Sequence, residues 1–256
     1  VPFTPSHLAA ALPFLRTPLV PAALAIGTMA PDFPYYVPRR FDIPRELTHS
    51  LLGLVTIDLA MSLLALAAWW YLLREPVIDL LPAPVRERIP PRPPSAWRRE
   101  HRSSAVAVVL IVVSALVGGA THLAWDSFTH PGWLVDHVGF LHQQAGPLVV
   151  DKWLQHASTV GGIMALGLWV VLRLRRRPRD PARAMRFTSR ERAAGMAVVV
   201  LAGLVPSGGW WVHGLLSGST PLDPVLLFPV ACLLVACTAV AVVLAAGAWH
   251  LLSRRA

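Results

Sequence analysis

The stretch "THLAWDSFTHPGW", residues 121–133, carries a metal-competent side chain at every fourth position: His122, Asp126 and His130. Positions i, i+4 and i+8 share one helical face. A helix persisting past Asp126 therefore lines up two imidazoles and a carboxylate before Pro131 and Gly132 end it. Imidazole and carboxylate are the usual ligands of zinc and related divalent ions. The same spacing also suits a hydrogen-bonded polar face at a helix end.

Four more residues of this chemistry stand out. They are His7 in "FTPSHLAAALPF", Asp32 in "GTMAPDFPYY", His49 after Thr48, and His156 in "DKWLQHASTVGG". Each has a plain explanation alone: an N-cap neighbour of Ser6 for His7, a turn acid for Asp32, an interfacial histidine for His49. His156 opens an apolar run as a ligand, a ligand's support or a substrate contact. His137 and His142 read as rim residues, and His213, beside Trp210 and Trp211, as an interfacial anchor. Asp58 is half a helical turn out of phase with His49 and is expected to face another helix.

The elements that position these residues follow from composition. Of 256 residues, 55% are hydrophobic and only 14% charged, against about a quarter charged in ordinary soluble domains. Five windows read as spanning helices: 51–73, 104–126, 156–172, 193–216 and 224–252. The fold class expected is an all-α polytopic membrane bundle of about five spans plus short N-terminal interfacial or re-entrant helices. Pro13, Arg16, Pro18 and Pro21 break the first apolar stretch, which also lacks the basic leader of a secretory signal. Residues 1–160 form the site-bearing region, and 161–256 supply further helices of the same bundle. Cys232 and Cys237 lie in an apolar run and read as packing residues.

The net charge of +9 would suit nucleic acid, but its placement points to topology instead, and no nucleic-acid-binding motif is present. The 74–102 connection holds seven Lys+Arg and the 173–192 connection nine, whereas 127–155 holds only Lys152. By the positive-inside rule the arginine-rich loops and the C-terminus are cytoplasmic. Eight of the ten histidines then fall on the opposite, extracytoplasmic side, leaving His101 and His250 inside. Ionisable groups gathered at one end of a membrane bundle are functional suspects.

The ordered motifs "PFTPSH", "GTMAPDFPYY", "THSLLGL", "GGATHLAWDSFTHPGW" and "WLQHAST" resemble a bacterial integral-membrane family, the domain of unknown function numbered 4184. They are also similar to inner-membrane-bound metal-dependent hydrolases, over about residues 2–160. A more distant resemblance is to zinc-dependent phospholipase C and its all-helical zinc-cluster fold. That resemblance implies ligands at His7, Asp32, His49, His122, Asp126 and His130. The sequence departs from it where that group has a His-x-x-x-Glu pair: Val160 stands four residues after His156. One or two divalent ions, zinc foremost, are therefore expected rather than three.

A divalent ion in such a site lowers the pKa of bound water towards ~7. Asp32 is expected to serve as ligand and general base, since a turn could leave one oxygen free; Asp126 is expected to fix or bridge the metal. Ser50, Ser127 and Thr129 read as supporting hydrogen-bond donors. Without a Gly-x-Ser-x-Gly elbow there is no signal for a serine hydrolase. Trp125, Trp133 and Trp153 suit the headgroup layer, so the expected partners are the lipid bilayer and a lipid-like substrate. The leading expectation is a hydrolase of phosphoesters at the extracytoplasmic face of the bacterial inner membrane. Its competitor is a non-catalytic membrane protein with a structural metal site, serving assembly or transport.

Overall fold

The computed structural model describes residues 4–37, 43–89, 104–181 and 187–252. His101 and part of both arginine-rich connections lie outside these residues. The described chain is almost wholly helical. Five helices are long and apolar enough to cross a membrane: Leu51–Leu80, Ala105–His137, Val150–Arg175, Ser189–Leu216 and Pro224–Leu251, here the first to fifth spans. The shortest has 26 residues, about 39 Å at 1.5 Å per residue, against a hydrocarbon core of about 30 Å. Large apolar side chains such as Leu64, Met164, Val205 and Leu244 point outward, as lipid-facing residues do.

Local chemistry sets the ends of the spans. The Ser50 hydroxyl accepts from Gly53 N (2.9 Å) and donates to Leu47 O (2.7 Å), capping the first span. That span runs past the expected residue 73: the helix continues through the charged Arg74 and Glu75 to Leu80 before Leu81 turns extended. It includes two π-helical segments, Leu54–Asp58 and Trp69–Leu73. Thr188 and Glu191 form a reciprocal capping box on the fourth span. Asp223 Oδ1 accepts from Val225 N (2.9 Å) at the start of the fifth.

The chain divides into two compact units. The first comprises residues 1–34, 41–66 and 93–177, and the second 35–40, 67–92 and 178–256.

In the first unit two short N-terminal helices, Thr4–Arg16 and Pro21–Gly27, and most of a third, Ala30–Tyr36, precede the first span. The Pro21–Gly27 helix lies backbone to backbone on the second span. A Cβ on Gly27 would stand 2.3 Å from Ala115 O, and one on Gly118 would stand 2.3 Å from Leu24 O. Glycine at both positions permits this approach, and Val20 N donating to Ser114 Oγ (2.8 Å) fixes its start. The Thr4–Arg16 helix packs on the third span, with Ser6 against Gly162. The third span begins at Val150, six residues earlier than expected, and its first turns bury Asp151 and Gln155. A small hairpin that the sequence did not signal, Gln144–Ala145 with Leu148–Val149, turns at Gly146, whose φ of 70° favours glycine.

In the second unit the fourth and fifth spans pack along each other, Gly203 against Thr238 and Gly214 against Leu226. Asp79 is buried there: Trp249 Nε1 (3.0 Å) and Phe187 N (3.2 Å) donate to its Oδ2.

Candidate metal centre

Four segments of the first unit deliver polar side chains to one buried point. The second span is helical through Thr129, and His130 N still donates to Asp126 O (3.0 Å). His122, Asp126 and His130 therefore share a face. Asp32 stands in the Ala30–Tyr36 turn of helix, and His49 just ahead of the first span. His7 comes from the Thr4–Arg16 helix and stacks on His122, with ring centroids 4.1 Å apart and planes at 26°.

Asp32, His49, His122 and Asp126 each offer one ligand atom, all within 4.8 Å of one another. Asp32 Oδ1 lies 3.5 Å from His49 Nε2 and 3.6 Å from His122 Nε2. Asp126 Oδ2 lies 3.4 Å and 3.6 Å from the same two nitrogens. These separations exceed the 2.9–3.0 Å of a good N–H···O bond. They match the edge of a coordination tetrahedron: ligands about 2.0–2.2 Å from a zinc ion stand about 3.3–3.6 Å apart.

Tautomers sharpen the point. The carbonyl of Thr28 lies 2.8 Å from His122 Nδ1. A carbonyl only accepts, so Nδ1 carries the proton and Nε2 of the neutral ring is bare. That lone pair faces two carboxylates from a fully buried position, which is repulsive until a proton or a cation lies between them. His49 Nδ1 is held likewise by Thr48 Oγ1 (3.0 Å). Asp32 Oδ1, His49 Nε2, His122 Nε2 and Asp126 Oδ1 are all buried without a hydrogen-bond partner. The donor set, two imidazoles and two carboxylates, fits zinc or a similar divalent ion, so this buried cluster could hold one.

Around the four, further groups converge on Asp126. His7 Nε2 lies 3.5 Å from its Oδ1; His130 Nδ1 (3.4 Å) and Arg45 Nη2 (3.4 Å) approach its Oδ2. Outside the spans the titrations follow this crowding. Burial opposes charging His49, but the carboxylates of Asp126 and Asp32 outweigh it and raise its pKa to about 9. Burial alone would raise Asp32, yet His49, His122 and the Thr4 hydroxyl hold it below the usual carboxylate range. His7, buried and beside His122, is lowered to about 4.

Of the expected residues, the structure brings together His7, Asp32, His49, His122, Asp126 and His130. It leaves His156 exposed on the third span, with none of these contacts. Asp32 differs from expectation in detail. It is fully buried, and its second oxygen is not free but accepts from Thr4 Oγ1 at 2.6 Å. Among the supporting hydroxyls expected, Thr129 Oγ1 meets His130 Nδ1 (3.1 Å), while Ser50 and Ser127 bond only to backbone. The sequence reading missed Thr4, the Thr28 carbonyl, Thr48, Arg45 and Lys152. Lys152 Nζ donates to Thr129 O (3.2 Å) and Gln155 Oε1 (3.0 Å) and pairs with Asp151 (3.1 Å). Asp58 is buried with neither carboxylate oxygen partnered among the described residues.

A cavity of about 390 Å³ adjoins the cluster, lined by Arg45, His49, Asp126 and His130 and also by Leu123, Pro131, Trp133 and Leu134. Its size lies within the range of small-molecule sites. The model of one family, described as Domain of unknown function (DUF4184), matches residues 1–249. No curated protein and no solved structure matches the chain.

Proposed function

The chain belongs to the DUF4184 family, and we propose that it is a membrane-embedded, metal-dependent hydrolase of phosphoesters in lipid-like substrates, working at the extracytoplasmic face of the inner membrane. One observation carries this reading: imidazole nitrogens and carboxylate oxygens face each other at coordination-edge distances, beside a cavity. Asp32, His49, His122 and Asp126 hold the cation, zinc by preference. A divalent ion there supplies Lewis acidity and makes a coordinated water acidic near neutral pH.

The chain's own groups divide the remaining work. Asp32 is a ligand only, because Thr4 occupies its other oxygen. The general-base role expected of it passes to His130, which lines the cavity with a buried, unpartnered Nε2. Water bonds to phosphorus, its proton goes to His130 Nε2, and the P–O ester bond breaks to release an alcohol that solvent protonates. His7, stacked on His122 with its Nε2 turned to Asp126, fixes the ligand rings. The exposed rings of Trp125, Trp133 and Trp153 suit the headgroup layer where such a substrate lies.

The test is metal content and turnover of the detergent-purified protein, with phosphomonoesters and phosphodiesters of short and long alkyl chains. About one divalent ion per chain, and turnover abolished in Asp126→Ala, is the expected result. Bound metal with no turnover of any phosphoester would favour the structural-site alternative. No bound metal would end both readings.

A further inference from the structure

Arg45 is unlike the other charged groups around the cluster. It stands at the start of the short Arg45–Thr48 helix, four residues ahead of His49. Its guanidinium contacts only the Asp126 carboxylate among the described residues, at 3.4 Å and with the side chain 36% exposed. Such a long, partly solvated pair contributes little by itself. Lys152, by contrast, is spent on Asp151, Gln155 and the Thr129 carbonyl.

Charge counting then favours an anion. Two ligand carboxylates cancel a divalent cation, and the cancelled Asp126 holds Arg45 still more weakly. The cavity lining is left with one uncompensated positive group, and its only carboxylate is Asp126 itself. A guanidinium presents a planar fork that matches two oxygens of a phosphoryl group. The same cavity is also lined by Leu123, Pro131, Trp133 and Leu134. Trp133 is 73% exposed with its ring stacked on His137 (4.8 Å), an apolar plate open to solvent or lipid.

We propose that Arg45 is the anion-recognition residue of this cavity, gripping phosphoryl oxygens while the Trp133–Leu134 wall takes the first carbons of an alkyl chain esterified to them. This rests on the hydrolase reading for the presence of the cation, but its test needs no turnover. Full-length, zinc-loaded protein in a neutral detergent is titrated with inorganic phosphate and with dodecyl phosphate, binding being followed calorimetrically and zinc content measured in parallel.

Arg45→Ala keeps its zinc and binds both probes at least tenfold more weakly. Arg45→Lys, which keeps the charge and loses the fork, recovers only part of that. Trp133→Ala weakens dodecyl phosphate several-fold and leaves inorganic phosphate unchanged. Wild-type affinity for phosphate in zinc-loaded Arg45→Ala would overturn the proposal, as would zinc-loaded wild type that binds neither probe. Loss of zinc in both Arg45 variants would overturn it too, making Arg45 part of the metal scaffold. Equal affinity of wild type for the two probes would remove the alkyl-chain wall and assign the site to free phosphate. The hydrolase reading fails by a different sign: wild-type protein without a divalent ion, or with one and no turnover.

Discussion

Asp79 and Asp126 are buried to nearly the same degree, one in each unit, yet their surroundings differ in kind. Asp79 receives N–H groups at hydrogen-bond distance, from the Trp249 indole (3.0 Å) and the Phe187 backbone (3.2 Å), while Arg192 Nε donates to its own carbonyl (2.9 Å). Those donors cannot give up their protons at ordinary pH, so the arrangement ties segments together. Asp126 meets imidazole nitrogens at 3.4–3.6 Å, too far for good hydrogen bonds and each able to be bare. A buried acid held by N–H donors at hydrogen-bond distance reads as structure; one faced by several imidazole nitrogens at coordination distance reads as a place for a cation.

The strongest way to break this contrast is to delete each carboxylate. Asp126→Ala should lower cation affinity by at least a hundredfold, measured by metal content after dialysis. Asp79→Ala should leave cation content intact and lower stability by about 1–3 kcal/mol, the cost of stranding buried donors, read from denaturant unfolding in detergent. If Asp79→Ala loses the cation as completely, the distinction is void.

A gentler probe acts through the backbone. In Gly118→Ala the new Cβ meets Leu24 O at 2.3 Å, so the Pro21–Gly27 helix must move and take the Thr28 carbonyl from His122. Cation affinity should fall about 10–100-fold, as when an outer hydrogen bond to a ligand is lost, with about 1–3 kcal/mol of overpacking. Gly161→Ala, where nothing lies within 4 Å, should be neutral or stabilising by up to about 1 kcal/mol. Equal losses in the two variants would show that close approach at Gly118 is not what orients His122.

Proton linkage gives the next effect. In the cation-free protein His49, with a pKa raised to about 9, contributes stability that is present below its ordinary 6.5 and is lost as pH rises through 9. Asp32, held low, contributes stability present above its ordinary value and lost on acidification. His7, lowered to about 4, contributes stability that falls away as pH drops from 6.5 towards 4. A cation must displace the His49 proton, so its affinity should climb by about tenfold per pH unit from 7 to 9 and then level off. Equilibrium dialysis across that range checks it, and a flat profile would remove His49 from the ligand set. The smallest effect is expected at His156→Ala, with cation content unchanged and stability within about 0.5 kcal/mol.

How much of this was legible beforehand depended on distance along the chain. The five spans were visible because a bilayer demands long uninterrupted apolar runs, and His122, Asp126 and His130 because one helix repeats every 3.6 residues. The partners that hold those side chains were not. Thr28 acts through a backbone carbonyl, which has no sequence signature, and Thr4 reaches Asp32 across 28 positions. Arg45 gives no signal either, since nothing in its neighbours says that it turns towards Asp126. His156 shows the opposite failure: a histidine opening an apolar run has the right type and place, yet its side chain points away from the cluster's contacts. The early start of the third span was hidden because its first turns bury polar residues, Asp151 and Gln155, that hydropathy reads as loop.

The bond from the His122 ring to the Thr28 carbonyl joins residues 94 positions apart, and this has a temporal consequence. During synthesis Asp32 and His49 emerge well before their counterparts, so an incomplete chain carries only half of the candidate centre. Only when the second hydrophobic helix has been inserted do the two halves meet. Nascent-chain length therefore sets when the groups of the candidate centre first come together.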